Sequence, residues 1–310
     1  MKNEPNQIEE VGKWWNLDRN AEKWDKAYES GGMLNRMYLK ERNAKVVAHL
    51  EKKGIGPGCK VLDLGYGAGQ SSLAISELGC AVYGMDIGEG LCAKARARVA
   101  VGNPQGEFHL TVGNLEEKFP YEDETFNAAV VIGAMQYLHA TDVFLSEVNR
   151  VLKPGGVFVV AQRNIYSLSN MTTPRGFLRT ATHALLREPY ELQLSLRSIL
   201  LESRLGRIFN PLRDSWLLTN RVVMKHHQEM KFNINKRKNS YFSCKRELKS
   251  KGFEITGFDG AFFPLIEDNS WERINGASHC VINGISKFKG TRAVSLLGRS
   301  FIVYARKAGA

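Results

Sequence analysis

The chain has 310 residues, of which 43% are apolar, 10% aromatic and 24% charged, with a formal net charge of +11. That length suits two domains, or one domain with a large insertion, and the apolar content is enough to offset the entropy of ordering, which excludes a disordered chain. The uncharged run Thr125 to Thr141 contains Asn127, Gln136 and His139, too short and too polar to span a bilayer; Glu4, Glu9, Glu10, Lys13 and Asp18 leave no room for a secretory signal, so a cytoplasmic location is expected.

In chain order, Trp14, Trp15, Leu17, Trp24 and Tyr28 alternate with charges in an amphipathic helical segment that stops at Gly31-Gly32. A second helix is predicted from Asn35 to Lys53. Beyond Gly56-Pro57-Gly58, short apolar runs alternate with helical stretches. Strands are predicted at 60–64, 80–86, 108–112, 128–132 and 157–162, and helices at 70–78, 90–101 and 142–151. This alternation calls for a parallel sheet covered on both faces, with its ligand edge at the strands' carboxyl ends. From Asn164 the alternation stops, and 164–238 reads as a helical insertion. A helix after Ser243 and strands at 253–258 and 300–306 follow. The expected organisation is therefore N-terminal helices over 1–55, a ligand-binding core over 56–163, a cap over 164–238, and completion of the sheet by 239–310.

Charge is uneven along this plan. Residues 1–163 carry −2, residues 164–250 carry +10 and residues 251–310 carry +3. A local basic field attracts anionic partners. The five cysteines, Cys59, Cys80, Cys92, Cys244 and Cys280, form no C-x-x-C pair and suit reduced thiols, so neither a disulfide nor a metal site is expected.

The strongest local signal is Val61-Leu62-Asp63-Leu64-Gly65-Tyr66-Gly67-Ala68-Gly69, a strand entering a glycine-rich turn. Alternate glycines let a ligand lie against bare main chain. A dinucleotide fingerprint would place its third glycine at Gln70, and Asp63 would repel a pyrophosphate, whereas the same acid favours a cationic ligand. A carboxylate at Asp86, closing the second strand, can accept both hydroxyls of a ribose.

Residues 60–163 resemble the core of the class I S-adenosylmethionine-dependent methyltransferases. The resemblance rests on the glycine loop, on Asp86, on Phe126-Asn127-Ala128-Ala129-Val130-Val131-Ile132-Gly133-Ala134 and on Leu152-Lys153-Pro154-Gly155-Gly156, in that order. It implies an α/β, Rossmann-like seven-stranded sheet of order 3-2-1-4-5-7-6, with a helical N-terminal lid and a helical cap. It also implies S-adenosyl-L-methionine as cofactor and S-adenosyl-L-homocysteine as product. Cofactor contacts are expected from Asp63, Gly65, Tyr66, Gly67, Gly69, Asp86, Ile87, Asn114, Leu115, Ile132 and Gly133, with Trp24 and Tyr28 folding over the sulfonium. Asn114 stands where relatives often have an acid facing the adenine amine. Gln136 and Tyr137 replace the paired histidines of many small-molecule relatives.

Methyl transfer is an in-line displacement that chiefly needs alignment and exclusion of water. Tyr137 is expected as a wall of the methyl pocket, and Tyr137 and His139 are the candidate bases by position. The cap arginines Arg175, Arg179 and Arg197, with apolar Phe177, Leu178 and Leu185 nearby, favour a small-molecule or lipid-linked anionic acceptor, and a cap resting on an anionic membrane surface is compatible. The rival reading is an RNA methyltransferase. Charge alone supports it, because neither a Pro-Pro-aromatic motif after the fourth strand nor a Pro-Cys nucleophile is present. A non-catalytic nucleoside-binding scaffold and a nicotinamide oxidoreductase are the remaining alternatives, since fold does not dictate function.

Overall fold

The computed structural model describes residues 7–30, 32–102, 104–172, 174, 176–178, 180–181, 219–225, 231–237, 239–264, 276–282 and 296–309. Five strands, β1 (Lys60–Leu64), β2 (Ala81–Asp86), β3 (Phe108–Val112), β4 (Phe126–Ile132) and β5 (Leu152–Arg163), alternate with α4 (Gln70–Ser76), α5 (Glu89–Gly102) and α6 (Asp142–Val151). Two further strands, β8 (Phe253–Ala261) and β9 (Ser300–Lys307), complete a seven-stranded sheet of order β3-β2-β1-β4-β5-β9-β8. Counting only the sheet's own strands, this is 3-2-1-4-5-7-6. β1 to β5 are mutually parallel, and β9 runs antiparallel to both neighbours.

Alternation along each strand builds two cores. Leu62, Leu64, Ala129 and Val131 face one side, where Phe144 and Val148 of α6 and Cys244 and Leu248 of α8 (Tyr241–Ser250) cover them. Val61, Ala128, Val130 and Ile132 face the other, against Val46 and Leu50 of α3 (Met33–Lys52). Burial on both faces is what a parallel sheet requires.

The N-terminal segment is two helices, α1 (Gln7–Trp15) and α2 (Asp18–Asp25), separated at Asn16-Leu17. It is fastened to the core by polar contacts. The Asn16 side-chain oxygen accepts the Glu89 backbone N–H at 2.7 Å, and Asp25 pairs with Arg98 while accepting from Gln70.

The insertion departs from its all-helical reading. A short helix, α7 (Leu168–Met171), is followed later by an antiparallel pair, β6 (Thr219–Lys225) and β7 (Lys231–Arg237), whose backbone passes beside α1 and the 135–137 turn. The correction has a plain cause. Phe232 and Ile234 sit two apart between polar residues, a period of two that belongs to a strand. The cap positions Arg175, Arg179 and Arg197 lie outside the described residues. Among the described residues, no helix is long and apolar enough to cross a membrane.

Candidate functional site

One pocket opens at the carboxyl ends of β1, β2 and β4, and its floor is the glycine loop. Gly65 has φ 75° and its N–H donates to the Met85 carbonyl at 2.7 Å; a Cβ there would overlap the Ala134 methyl. Gly67 has φ 59°, and a Cβ there would come within 2.8 Å of the Trp24 indole nitrogen. Both positions combine left-handed backbone with close approach, which only glycine tolerates without strain.

Asp86 stands buried at the end of β2 and lines the pocket. One carboxylate oxygen accepts the Gly67 N–H at 2.9 Å and the other accepts the Gly88 N–H at 2.8 Å. The carboxylate thus fixes the loop and the turn before α5 while keeping lone pairs for a ligand. Burial raises its pKa, with the backbone N–H donors of Gly88, Gly67 and Ile87 opposing. Gly133 and Ile132 from β4, Leu115, Ile87 and Leu91 form the walls.

Above the floor lies an aromatic cover from α1 and α2. Ile8, Val11, Trp15 and Trp24 line the pocket, and the two indoles meet edge to face at 5.9 Å. Tyr137 closes one side, edge-on to Trp15 at 6.2 Å, with its carbonyl accepting from the Gln7 side chain at 2.9 Å. At the opposite end stand Arg42, Tyr38 and Asn35 of α3 together with Arg163 and Arg299. Arg42 is only 3% exposed; it donates to the hydroxyls of Tyr38 (3.4 Å) and Tyr28 (3.3 Å), and its Nε has no hydrogen-bond partner.

Several residues expected at the ligand are elsewhere. Asp63 is fully buried beneath the loop, outside the pocket lining; one oxygen accepts from the hydroxyls of Ser71 (2.8 Å) and Ser72 (2.7 Å). It therefore ties β1 to the first turn of α4. Its burial raises the pKa to about 6. A carboxyl whose folded pKa exceeds its unfolded value binds more protons when folded, so its ionisation lowers stability as pH rises through this interval. Stability should therefore fall between about pH 4 and pH 6, by on the order of 3 kcal/mol from this group. Asp63→Asn should flatten that part of a urea-melting series against pH.

Tyr66 points away from the pocket, buried against Gly84 with its hydroxyl toward the Thr111 carbonyl at 3.4 Å. Gly69 packs on Ala95 instead of facing the ligand space. Asn114 caps its own turn, accepting from the Glu116 N–H and donating to Glu117, both at 2.9 Å, so it does not line the pocket. Its short side chain satisfies the local backbone first, as Asn does in turns. Tyr28 sits behind Trp24, and His139 is exposed outside the pocket. Conversely, Arg42, Arg163, Arg299 and Tyr38 were missed; they come from positions far apart in the chain and carry no local motif.

Residues 62–160 match a family model described as a methyltransferase domain. Residues 62–160 are thus a methyltransferase domain, carried on the 3-2-1-4-5-7-6 sheet. This domain is similar to the (+)-O-methylkolavelool synthase of Herpetosiphon aurantiacus, 31% identical over 145 residues, 42% of this chain and 51% of that protein. It is also similar to a ubiquinone biosynthesis O-methyltransferase of Brucella anthropi, 27% identical over 58% of this chain and 75% of that protein. The chain spans about half the length of the first curated relatives it matches, 51% and 50%. Among solved structures, the methyltransferase fold is shared with the [4+2]-cyclase SpnF (TM-score 0.57, 17% identity, 97% of this chain and 96% of that one). It is shared too with a magnesium protoporphyrin IX methyltransferase from Synechocystis solved with bound SAH (TM-score 0.54, 13% identity, 96% and 98% covered).

Proposed function

We propose that this methyltransferase domain moves a methyl group from S-adenosylmethionine to an N, O or C atom of an anionic acceptor that is a small molecule or lipid-linked. The observation that carries the reading is the cradle of Gly65 and Gly67 held by Asp86 under the Trp15–Trp24 cover. Its chemistry fits the donor. Bare main chain admits close approach, Asp86 keeps acceptor lone pairs for ribose hydroxyls, and Arg42 offers a buried guanidinium with an unused N–H to the amino-acid carboxylate. The donor supplies an electrophilic methyl on sulfonium. The protein's part is to align the acceptor and exclude water, and alignment alone contributes about 7–11 kcal/mol when geometry is good.

Ile8, Val11, Trp15 and Trp24 exclude water, and Tyr137 forms the wall nearest the β4 turn. The Tyr137 hydroxyl is the better placed of the two candidate bases, since it belongs to a lining residue and His139 does not. Support for an apolar or lipid-linked acceptor comes from Phe177 and Leu178, 61% and 62% exposed just after α7, and from the basic hairpin beside α1.

Trp24→Ala should fold normally and weaken S-adenosylmethionine about 2- to 30-fold, the range of a cation–π contact, with a smaller effect on the uncharged S-adenosylhomocysteine. Calorimetry with both ligands checks this, and equal affinity in the variant would remove Trp24 from the site. The decisive experiment for the function is incubation of extracts with isotopically methyl-labelled donor, followed by mass spectrometry. Label in a small molecule is expected. Donor binding without label transfer would overturn the transferase reading, a real distinction because a cyclase shares this fold. Label confined to RNA would overturn the acceptor class.

A further inference from the structure

Eight large apolar side chains stand exposed among the described residues, and they are unevenly placed. β1 to β5 are parallel, so a helix leading into one of these strands starts at the sheet's carboxyl edge and ends at its amino edge. Met33 begins α3, and Val143 stands in the first turn of α6. Val112 is the last residue of β3. Phe177 and Leu178 follow α7, in a segment held at the carboxyl end of β5 by the Thr180 hydroxyl, which donates to the Ile165 carbonyl at 3.2 Å. Phe242 stands in the first turn of α8, three residues after the bridge of Asn239 to Asn164 beyond β5. Six of the eight thus share the edge on which the pocket opens, whereas Val101, in the last turn of α5, marks the opposite edge.

Single exposed apolar side chains are ordinary on a protein surface, but a set confined to the rim of one pocket is not. The charge carried at this rim has one sign. Residues 164–250 hold sixteen Lys and Arg against six Asp and Glu, so ion pairs with the segment's own acids cannot cancel its excess. Within it, β6 and β7 contain Arg221, Lys225, Lys231, Lys236 and Arg237 and no acid. β7 passes beside α1 and the 135–137 turn, two elements that line the pocket. Counted together with Glu9, Glu10 and Lys13 of α1, the strand pair still leaves six cations against two acids. β3 and β8 are the outermost of seven strands, so the rim is about 29 Å across at ordinary strand spacing. That spread selects the kind of partner. A protein interface has a close-packed apolar centre, whereas separate apolar side chains around a basic rim suit a fluid planar surface that each enters independently.

The geometry points to this rim as a docking surface for an anionic phospholipid bilayer, entered by Phe177, Leu178 and Phe242 while the basic strand pair lies over the headgroups. The pocket mouth then faces the membrane. The purpose of docking rests on the lipid-linked branch of the function proposed above: an acceptor anchored in the leaflet reaches the donor without leaving the bilayer.

The test is co-sedimentation of the full chain with vesicles of equimolar phosphatidylglycerol and phosphatidylcholine, and with phosphatidylcholine alone. The mixed vesicles should bind about 10-fold or more tightly than the zwitterionic ones, and the difference should shrink with added salt. Replacing both apolar residues, Phe177→Ser with Leu178→Ser, should weaken binding about 10-fold or more. Lys231→Gln with Lys236→Gln should also cost about 10-fold or more. Each pair should leave S-adenosylhomocysteine affinity within about twofold, because these residues lie outside the pocket lining. Val101→Ser, on the opposite edge, should change nothing. Melting curves check folding, and Phe242→Ser is the second apolar variant if the Phe177 and Leu178 pair does not fold. Failure to sediment with the mixed vesicles, undiminished binding in the apolar variants, or an equal loss in Val101→Ser would overturn the docking surface. Binding of single-stranded RNA without binding of either vesicle would overturn it in favour of a nucleic-acid partner. Vesicle binding by a chain that does not bind S-adenosylhomocysteine would sink the donor reading and leave the docking surface standing; S-adenosylhomocysteine binding without vesicle binding would do the reverse.

Discussion

Gly65→Ala is expected to eliminate measurable donor binding and to destabilise the fold by about 2–5 kcal/mol. Two costs combine. An L-residue held at φ 75° costs about 1–2 kcal/mol, and the added methyl overlaps the Ala134 methyl, an overpacking cost of about 1–3 kcal/mol. The loop has little freedom to relax, because the Gly65 N–H is bonded to Met85 and the Ala134 turn is pinned by the Gln136 side chain donating to the Gly133 carbonyl at 2.9 Å. Relief must displace the backbone against which the ligand lies. Urea unfolding and calorimetry with S-adenosylhomocysteine separate the two effects. Retention of affinity within about tenfold would show that the ligand does not use this bend.

Asp86→Ala should reduce donor affinity by about 100-fold or more while costing stability as well. Its two oxygens satisfy the N–H groups of Gly67 and Gly88, and removing them orphans two buried donors at about 1–3 kcal/mol each. Asp86→Asn separates structure from recognition. The amide keeps one acceptor oxygen and the side-chain volume, so stability should recover in part, whereas ribose binding should remain impaired because a negative bidentate acceptor is gone. Equal affinity in Asp86→Asn and the parent chain would remove Asp86 from ligand recognition and leave it a purely structural clamp.

Much of the architecture was legible because local signals were mutually consistent. β3 and α6 fall at the predicted residues, and the 3-2-1-4-5-7-6 order is the one implied by the family resemblance that the motifs at Gly65, Asp86, Gly133 and Gly155 carry. The errors share one physical origin: sequence shows which residues a turn contains but not which way each side chain leaves it. Asp63 looked like a ligand acid, yet α4 brings Ser71 and Ser72 back over it, and burial draws the carboxylate into that pair. Tyr66 belongs to the glycine loop and Asn114 follows β3, but Tyr66 packs against Gly84 and an Asx-type turn holds Asn114. The β6–β7 pair lay inside a stretch read as helical throughout, in which the alternation at Phe232 and Ile234 was not weighed. The arginine cluster had no local signature, since only the β5–β9 pairing makes neighbours of Arg163 and Arg299.

α3 bears on how the molecule is made. Tyr38 reaches Ser300 across 262 positions, Lys45 reaches Asp259 across 214, and His49 stacks on Tyr304 at 3.7 Å. Contacts this distant along the chain require closing very long loops, so they form late and slow the search for the native state. The ligand cavity is thus finished only when the two ends of the molecule meet, and a folding intermediate lacking β9 would possess the glycine bend but neither its basic end nor the floor beneath it.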